Sequence, residues 1–213
     1  MKLQPQATLG APFGVASPIA GFRSDSVVLR ERSDFGCVLL TAAVDAAEVR
    51  SLVSAVADVD LPLAAGMTKT CAGRTALWLS PRSWLIHCDI EDEVGLVARV
   101  NVTFPDKLVH AVGFTDALCW LELSGAAAHD LLTEGTFLSL ERGGLPIGRG
   151  KRTLIAQIVA IVIRERESVW LIAVERSRAR YFVEWLNAGT ESREPPLQSC
   201  RDLHKRVTHG TED

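Results

Sequence analysis

Residues 153–175 read TLIAQIVAIVIRERESVWLIAVE. Within them Ile158–Ile163 is six consecutive apolar residues rich in β-branching, the composition of a central strand buried on both faces. The polar break before Val169 predicts that Thr153–Arg164 and Val169–Glu175 form a hairpin. After Ser177 the segment carrying Phe182, Val183, Trp185 and Leu186 has helical spacing. The unit is therefore strand–strand–helix.

The same layout recurs upstream. Val27–Arg30 and Phe35–Thr41 are apolar runs separated by Ser33-Asp34, a strand–turn–strand signal. Asp45 opens a helix with Glu48 as its capping-box partner, and Ala46, Val49, Leu52, Val53 and Val56 form its apolar stripe. Leu61–Gly73 reads as a loop. Thr75–Leu79 and Ser83–Cys88 form a hairpin turning at Ser80-Pro81-Arg82, followed by a helix over Glu91–Val100. Leu108–Val112 and Ala117–Leu123 are strands, and Ser124 caps a short helix running through Leu131. Phe35–Val53 resembles Leu118–Leu132 in layout, and Leu77–Val100 resembles Ile161–Leu186. The expected fold is α+β: two similar halves, residues 22–106 and 107–189, each of strand–strand–helix units that bury their apolar faces by packing together. Residues 1–21 read as a flexible N-terminal arm. Thr190–Asp213, with four Lys/Arg, five Asp/Glu and Pro195-Pro196, reads as a polar tail that is disordered or draped on a partner.

The chain has 213 residues, 47% of them hydrophobic and 23% charged, enough for one large domain or two small intimate ones. Five scattered cysteines (Cys37, Cys71, Cys88, Cys119, Cys200) without a CxxC pair fit reduced thiols in a cytoplasmic protein. A net charge of −3 offers no positive field for nucleic acid. The longest apolar run, Leu154–Ile163, is half the length of a membrane span. A mean hydropathy of +0.15 hints that apolar surface is buried against a partner.

No constellation for catalysis emerges. His87 and Cys88 are strand neighbours that point to opposite faces and cannot chelate together; His204 and His209 sit in the tail. His129 and Asp130 are helix neighbours facing different directions. Cys119 lies in an apolar strand, where a thiol is inert filler. Gly143–Gly150 is not a phosphate loop: reading back from Gly150-Lys151, Leu145 holds the first-glycine slot and Arg152 the Ser/Thr slot. Those glycines read as a tight turn into the central hairpin. No catalytic, cofactor-binding or metal-ligating residue is assigned. What remains is surface chemistry suited to a partner: Trp78 and Trp84 flanking one hairpin turn, and the basic residues Arg149, Arg152 and Arg178.

The ordered set Leu121-Glu122-Leu123-Ser124-Gly125, Leu138-Ser139-Leu140, Pro146-x-Gly148-Arg149 and Thr153–Gln157 resembles the gamma subunit of heterotetrameric sarcosine oxidase. So does Val174–Leu186. Arg74–Leu85 is similar to the same family's R-x-x-W-L-x-P-x-x-W-L signature. The likeness runs from about Val27 to Ala188. It implies a shortened form of the folate-binding domains of the glycine-cleavage T-protein group. It also implies an accessory chain without its own cofactor, beside alpha, beta and delta subunits that carry FAD, FMN, NAD, zinc and tetrahydrofolate. The assembled oxidase would demethylate sarcosine to glycine, passing the one-carbon unit to tetrahydrofolate or releasing formaldehyde. Two alternatives are a subunit of a related N-methylglutamate or 4-methylaminobutanoate enzyme, and a free-standing folate-dependent aminomethyltransferase, for which Glu122 is the one candidate acidic anchor and an ordinary edge or turn carboxylate is its simpler reading.

Overall fold

The computed structural model describes residues 21–24, 26–43, 47–105, 108–140 and 143–192. The elements are β1 (Gly21–Arg23), β2 (Val28–Arg32), β3 (Gly36–Ala42), α1 (Ala47–Ala57), β4 (Thr68–Cys71), β5 (Arg74–Ser80), β6 (Ser83–Cys88), α2 (Glu93–Thr103), β7 (Val109–Gly113), β8 (Leu118–Ser124), α3 (Ala128–Gly135), β9 (Arg149–Ile155), β10 (Ile158–Arg166), β11 (Val169–Glu175) and α4 (Ala179–Glu191).

Two antiparallel sheets result, in the orders β4-β5-β6-β3-β7 and β9-β10-β11-β8-β2-β1. The first five positions correspond one to one, so the chain is a tandem repeat of strand, strand, helix, three strands, helix. The leading strand of each repeat leaves its own sheet. β2 completes the sheet of the second repeat by pairing with β8, and β7 completes the first by pairing with β3. The two sheets are therefore not the halves 22–106 and 107–189, because each takes in strand from the other half. For the same reason the runs on either side of Ser33-Asp34 are not a hairpin: β2 and β3 lie in different sheets.

Alternation along the strands makes four layers. One side of the first sheet packs Val38, Leu40, Ala76, Trp84 and Ile86 against Val49 and Val53 of α1 and Leu96 and Val100 of α2. One side of the second packs Leu121, Leu123, Val162, Trp170 and Ile172 against Leu131 and Leu132 of α3 and Phe182 and Leu186 of α4. The remaining faces meet each other through Cys37, Leu77, Leu85, Trp120, Ile161, Ile163, Leu171 and Ala173. Burying each large apolar side chain is worth about 1.5–3 kcal/mol, and these three layers account for most of the core.

Local departures from the sequence pattern have identifiable causes. The Thr153–Arg164 run is two strands, because Ala156 and Gln157 take φ of 51° and 63° and close a two-residue hairpin that the pattern of asparagine and glycine did not announce. Thr68–Cys71, expected as loop, is β4, an edge strand pairing with β5; its Thr-Lys-Thr-Cys sequence is polar because that edge is exposed. Ser124 does not cap α3: it ends β8, and a turn over 125–127 intervenes before Ala128, with Ala127 N–H donating to Ser26 O at 3.2 Å. Leu52 in the expected stripe of α1 is 57% exposed, and Val49, Val53 and Ala57 make the contact. Asp45, Ala46, the arm before residue 21 and the tail after residue 192 lie outside the described residues.

Three devices join the layers. The crossover from β7 to β8 is pinned by Thr115, whose hydroxyl donates to Glu93 Oε2 at 2.7 Å and accepts the Cys37 N–H at 2.7 Å. The Gly143–Gly150 stretch is a turn, as expected, but held by side chains: buried Arg164 donates to the carbonyls of Leu140 and Leu145 at 3.3 and 3.4 Å while lying over the Trp170 ring, and Lys151 Nζ donates to Gly144 O at 2.9 Å. Gly150 then brings β9 against the other sheet, its N–H donating to Gly66 O at 3.2 Å. A Cβ there would stand 2.8 Å from Ile163 Cγ1 and 2.9 Å from Leu77 Cδ1. Gly150→Val should accordingly cost about 1–3 kcal/mol by overpacking, read as a lowered thermal midpoint, whereas Gly143→Ala, where a Cβ meets nothing within 4 Å, should leave it unchanged.

Candidate functional site

Among the described residues no three His, Cys, Asp or Glu side chains converge in a way that could hold a metal. His87 and Cys88 do face opposite sides of the first sheet. Cys88 packs under the helices. His87 stacks on Phe35, with centroids 4.7 Å apart, and meets the Trp120 ring edge-to-face at 4.5 Å. Its Nε2 is buried without a hydrogen-bond partner among the described residues. Burial, reinforced by the Arg32 guanidinium, pushes the His87 imidazole down to about 4. His129 does not face away from Asp130: its Nδ1 lies 3.0 Å from Oδ1 of that neighbour, at the surface. The thiols of Cys37 and Cys88 are both pushed up by burial, the latter to about 11, so neither is a thiolate nucleophile at neutral pH.

The charged groups nearest the strands are committed to holding the fold. Arg32 forms a two-pronged pair with Asp34 and donates to Glu122 Oε2 at 2.8 Å, which also takes Arg30 at 3.2 Å. Hydrogen bonding to Arg32 holds the Asp34 carboxyl below its ordinary range. Glu122, the one candidate anchor for a folate, is thus occupied by two guanidinium groups. Arg74, buried at the start of β5, donates to the Ala57 carbonyl and to Asp58 from one nitrogen and to Asp92 from the other, all within 2.9 Å. It therefore clamps the C-terminus of α1, where a cation is favoured, to the start of α2. Arg74 opens the signature-like run Arg74–Leu85, but the local sequence does not reveal this clamp, since its partners lie 16–18 residues away.

The expected contact residues are dispersed. Trp78 and Trp84 are direct cross-strand partners on the helix side of the first sheet. Trp84 is only 2% exposed and donates its indole N–H to Pro62 O at 2.9 Å, so it belongs to the core. Half-buried Trp78 instead forms part of a hollow of about 190 Å³ with Arg50, Pro62, Leu63 and Pro81. Arg149 begins β9, and exposed Arg178 precedes α4 with its Nε 4.0 Å from Glu175. Arg176 and Arg180 are paired with Asp116 and Glu184. Arg152 alone lines a cavity of about 310 Å³ where the two sheets diverge, together with Leu39, Leu79, Phe114, Leu118, Val159 and Ile161. Sequence reasoning did not find this cleft, because its walls come from seven strands.

Two interlocked sheets between helical layers, with no reacting constellation among the described residues, define a fold shared with aminomethyltransferases. The glycine cleavage system aminomethyltransferase T from Bartonella henselae superposes with a TM-score of 0.56 at 14% identity, over 76% of this chain and 45% of that one. A chain of the heterotetrameric sarcosine oxidase from Corynebacterium sp. U-96, solved with pyrrole 2-carboxylate, superposes at 0.72 with 24% identity, over 80% of this chain and 87% of that one. Residues 41–192 match the model of the sarcosine oxidase, gamma subunit family. This chain belongs to that family. A comparison with curated protein sequences finds no match.

His87 yields a pH test. The unfolded chain takes its proton near pH 6.5, the folded chain only near about 4, so protons favour unfolding between those values. The stabilisation is complete above pH 6.5 and is lost progressively as pH falls toward 4. Urea unfolding at pH 7 and pH 5 should show a loss of about 2 kcal/mol assignable to this group. His87→Phe should shrink the difference by that amount, and an unchanged difference would remove His87 from the account.

Proposed function

We propose that this chain is the non-catalytic accessory gamma subunit of a heterotetrameric, flavin-dependent sarcosine oxidase. The observation that carries the reading is the family match across residues 41–192. The engagement of Glu122, Arg74, Arg32 and the buried thiols in the fold itself supports it. In this reading the alpha, beta and delta subunits carry FAD, FMN, NAD, zinc and tetrahydrofolate, and the complex works in the cytoplasm. Those subunits oxidise the N-methyl group of sarcosine, leaving glycine, and the one-carbon unit goes to tetrahydrofolate or departs as formaldehyde. This chain provides surface: Trp78, Arg149, Arg152 and Arg178 are its proposed partner contacts.

The purified chain should be colourless, bind no flavin, and turn over no sarcosine, while the co-produced complex does all three in the opposite sense. Flavin held stoichiometrically by the lone chain, or tetrahydrofolate bound tightly to it, would overturn the reading and favour a free-standing transferase. Trp78→Ala and Arg149→Glu should each lower recovery of the other chains in co-purification while leaving the far-ultraviolet circular dichroism of this chain unchanged. Full recovery of the complex would strike those residues from the contact surface.

A further inference from the structure

The cleft between the sheets is unfinished. Leu118, Val159 and Ile161 form one wall and Leu39, Leu79 and Phe114 the other, yet Val159 remains 40% exposed and its cross-strand neighbour Leu154 52%. Four polar side chains stand at this cleft: Ser80, Ser83, Arg152 and Glu175. Ser80, Ser83 and Arg152 make no side-chain hydrogen bond among the described residues. An apolar cavity of about 310 Å³ with a few polar groups at its rim suits a short uncharged stretch of polypeptide. Its side chains would fill the hole, and its backbone N–H and C=O groups would meet the rim.

The chain itself supplies such a stretch. β1 is the outermost strand of the second sheet, and its register opposes Gly21 to Arg30 and Arg23 to Val28. The N-terminal end of β1, at Gly21, is directed toward the end of the sheet where Arg32 pairs with Trp120. That is the end of the sheet where Glu175 pairs with Leu118 and the cleft opens. At about 4.8 Å per strand, the cleft floor on β8, β11 and β10 lies about 10–19 Å to the side. The eight residues from Phe13 to Gly21 span up to about 26 Å. Residues 1–20 carry a single charged side chain, Lys2, and include Pro12-Phe13-Gly14-Val15. The other long stretch outside the described residues, 193–213, comes after α4, which packs on the opposite face of the same sheet, and bears eight charged residues.

We propose that the segment Pro12–Val15 of this chain docks in the inter-sheet cleft, with Phe13 between Leu79 and Val159. It stands independently of the oxidase reading.

Photocrosslinking tests it. The full-length chain with p-benzoylphenylalanine in place of Phe13 is irradiated alone and in extract of a host that makes its partner subunits. In both, the crosslink should fall within the same chain, on peptides containing Leu79–Ser83, Leu118 or Val159–Ile161. Val159→Arg, at an exposed position, should abolish that crosslink without shifting the thermal midpoint. A crosslink to a second copy, to another subunit, or to a different face of this chain would overturn the proposal. With Phe13 intact, deleting residues 1–16 should speed amide deuterium exchange in peptides 79–83 and 158–161 about tenfold while exchange in α1 stays constant. Unchanged exchange at both would overturn it equally.

Discussion

Each sheet of this protein is completed by a strand from the other half of the chain. β2 hydrogen-bonds along β8 over five residue pairs and β7 along β3 over five, so neither repeat possesses a finished sheet on its own. Loss of β2 or of β7 would strip a backbone ladder and uncover part of a core layer together. The layer where the sheets meet, with Trp120, Leu85 and Ile163 at its centre, is shared property. The consequence is a body whose halves cannot slide or separate without breaking both ladders.

That interlock explains where polar chemistry has been used. The crossovers between sheets need anchors, and the chain provides them with Thr115, Glu93 and Arg32. The helix ends need a clamp, and Arg74 serves two of them. Groups that in another protein would be candidates for a reaction are here tied to backbone and to each other.

Much of the secondary structure was legible. The hairpin at Ser80–Ser83, the apolar strands β3, β8, β10 and β11, and the helical stripe of α4 follow from local pattern alone. The duplicated layout was legible too. Three features were not. Polar β4 carries no strand signal because its edge is solvated. Ala156-Gln157 adopts left-handed backbone that only the register of β9 against β10 demands. Trp84 looks like a surface anchor beside Trp78, yet the Pro62 carbonyl reaches its indole nitrogen and closes over it.

The amino-acid order by itself determined the repeat of strands and helices, which residues are apolar, and the family signature, since these are matters of local spacing. Which sheet each strand joins was decided only in three dimensions. Period-two alternation tells a strand that it has two faces, but not that β2 should find β8, 90 residues away, rather than β3. That choice rests on closing two ladders and one inter-sheet layer at once. The cleft that results has walls no single stretch of sequence contains.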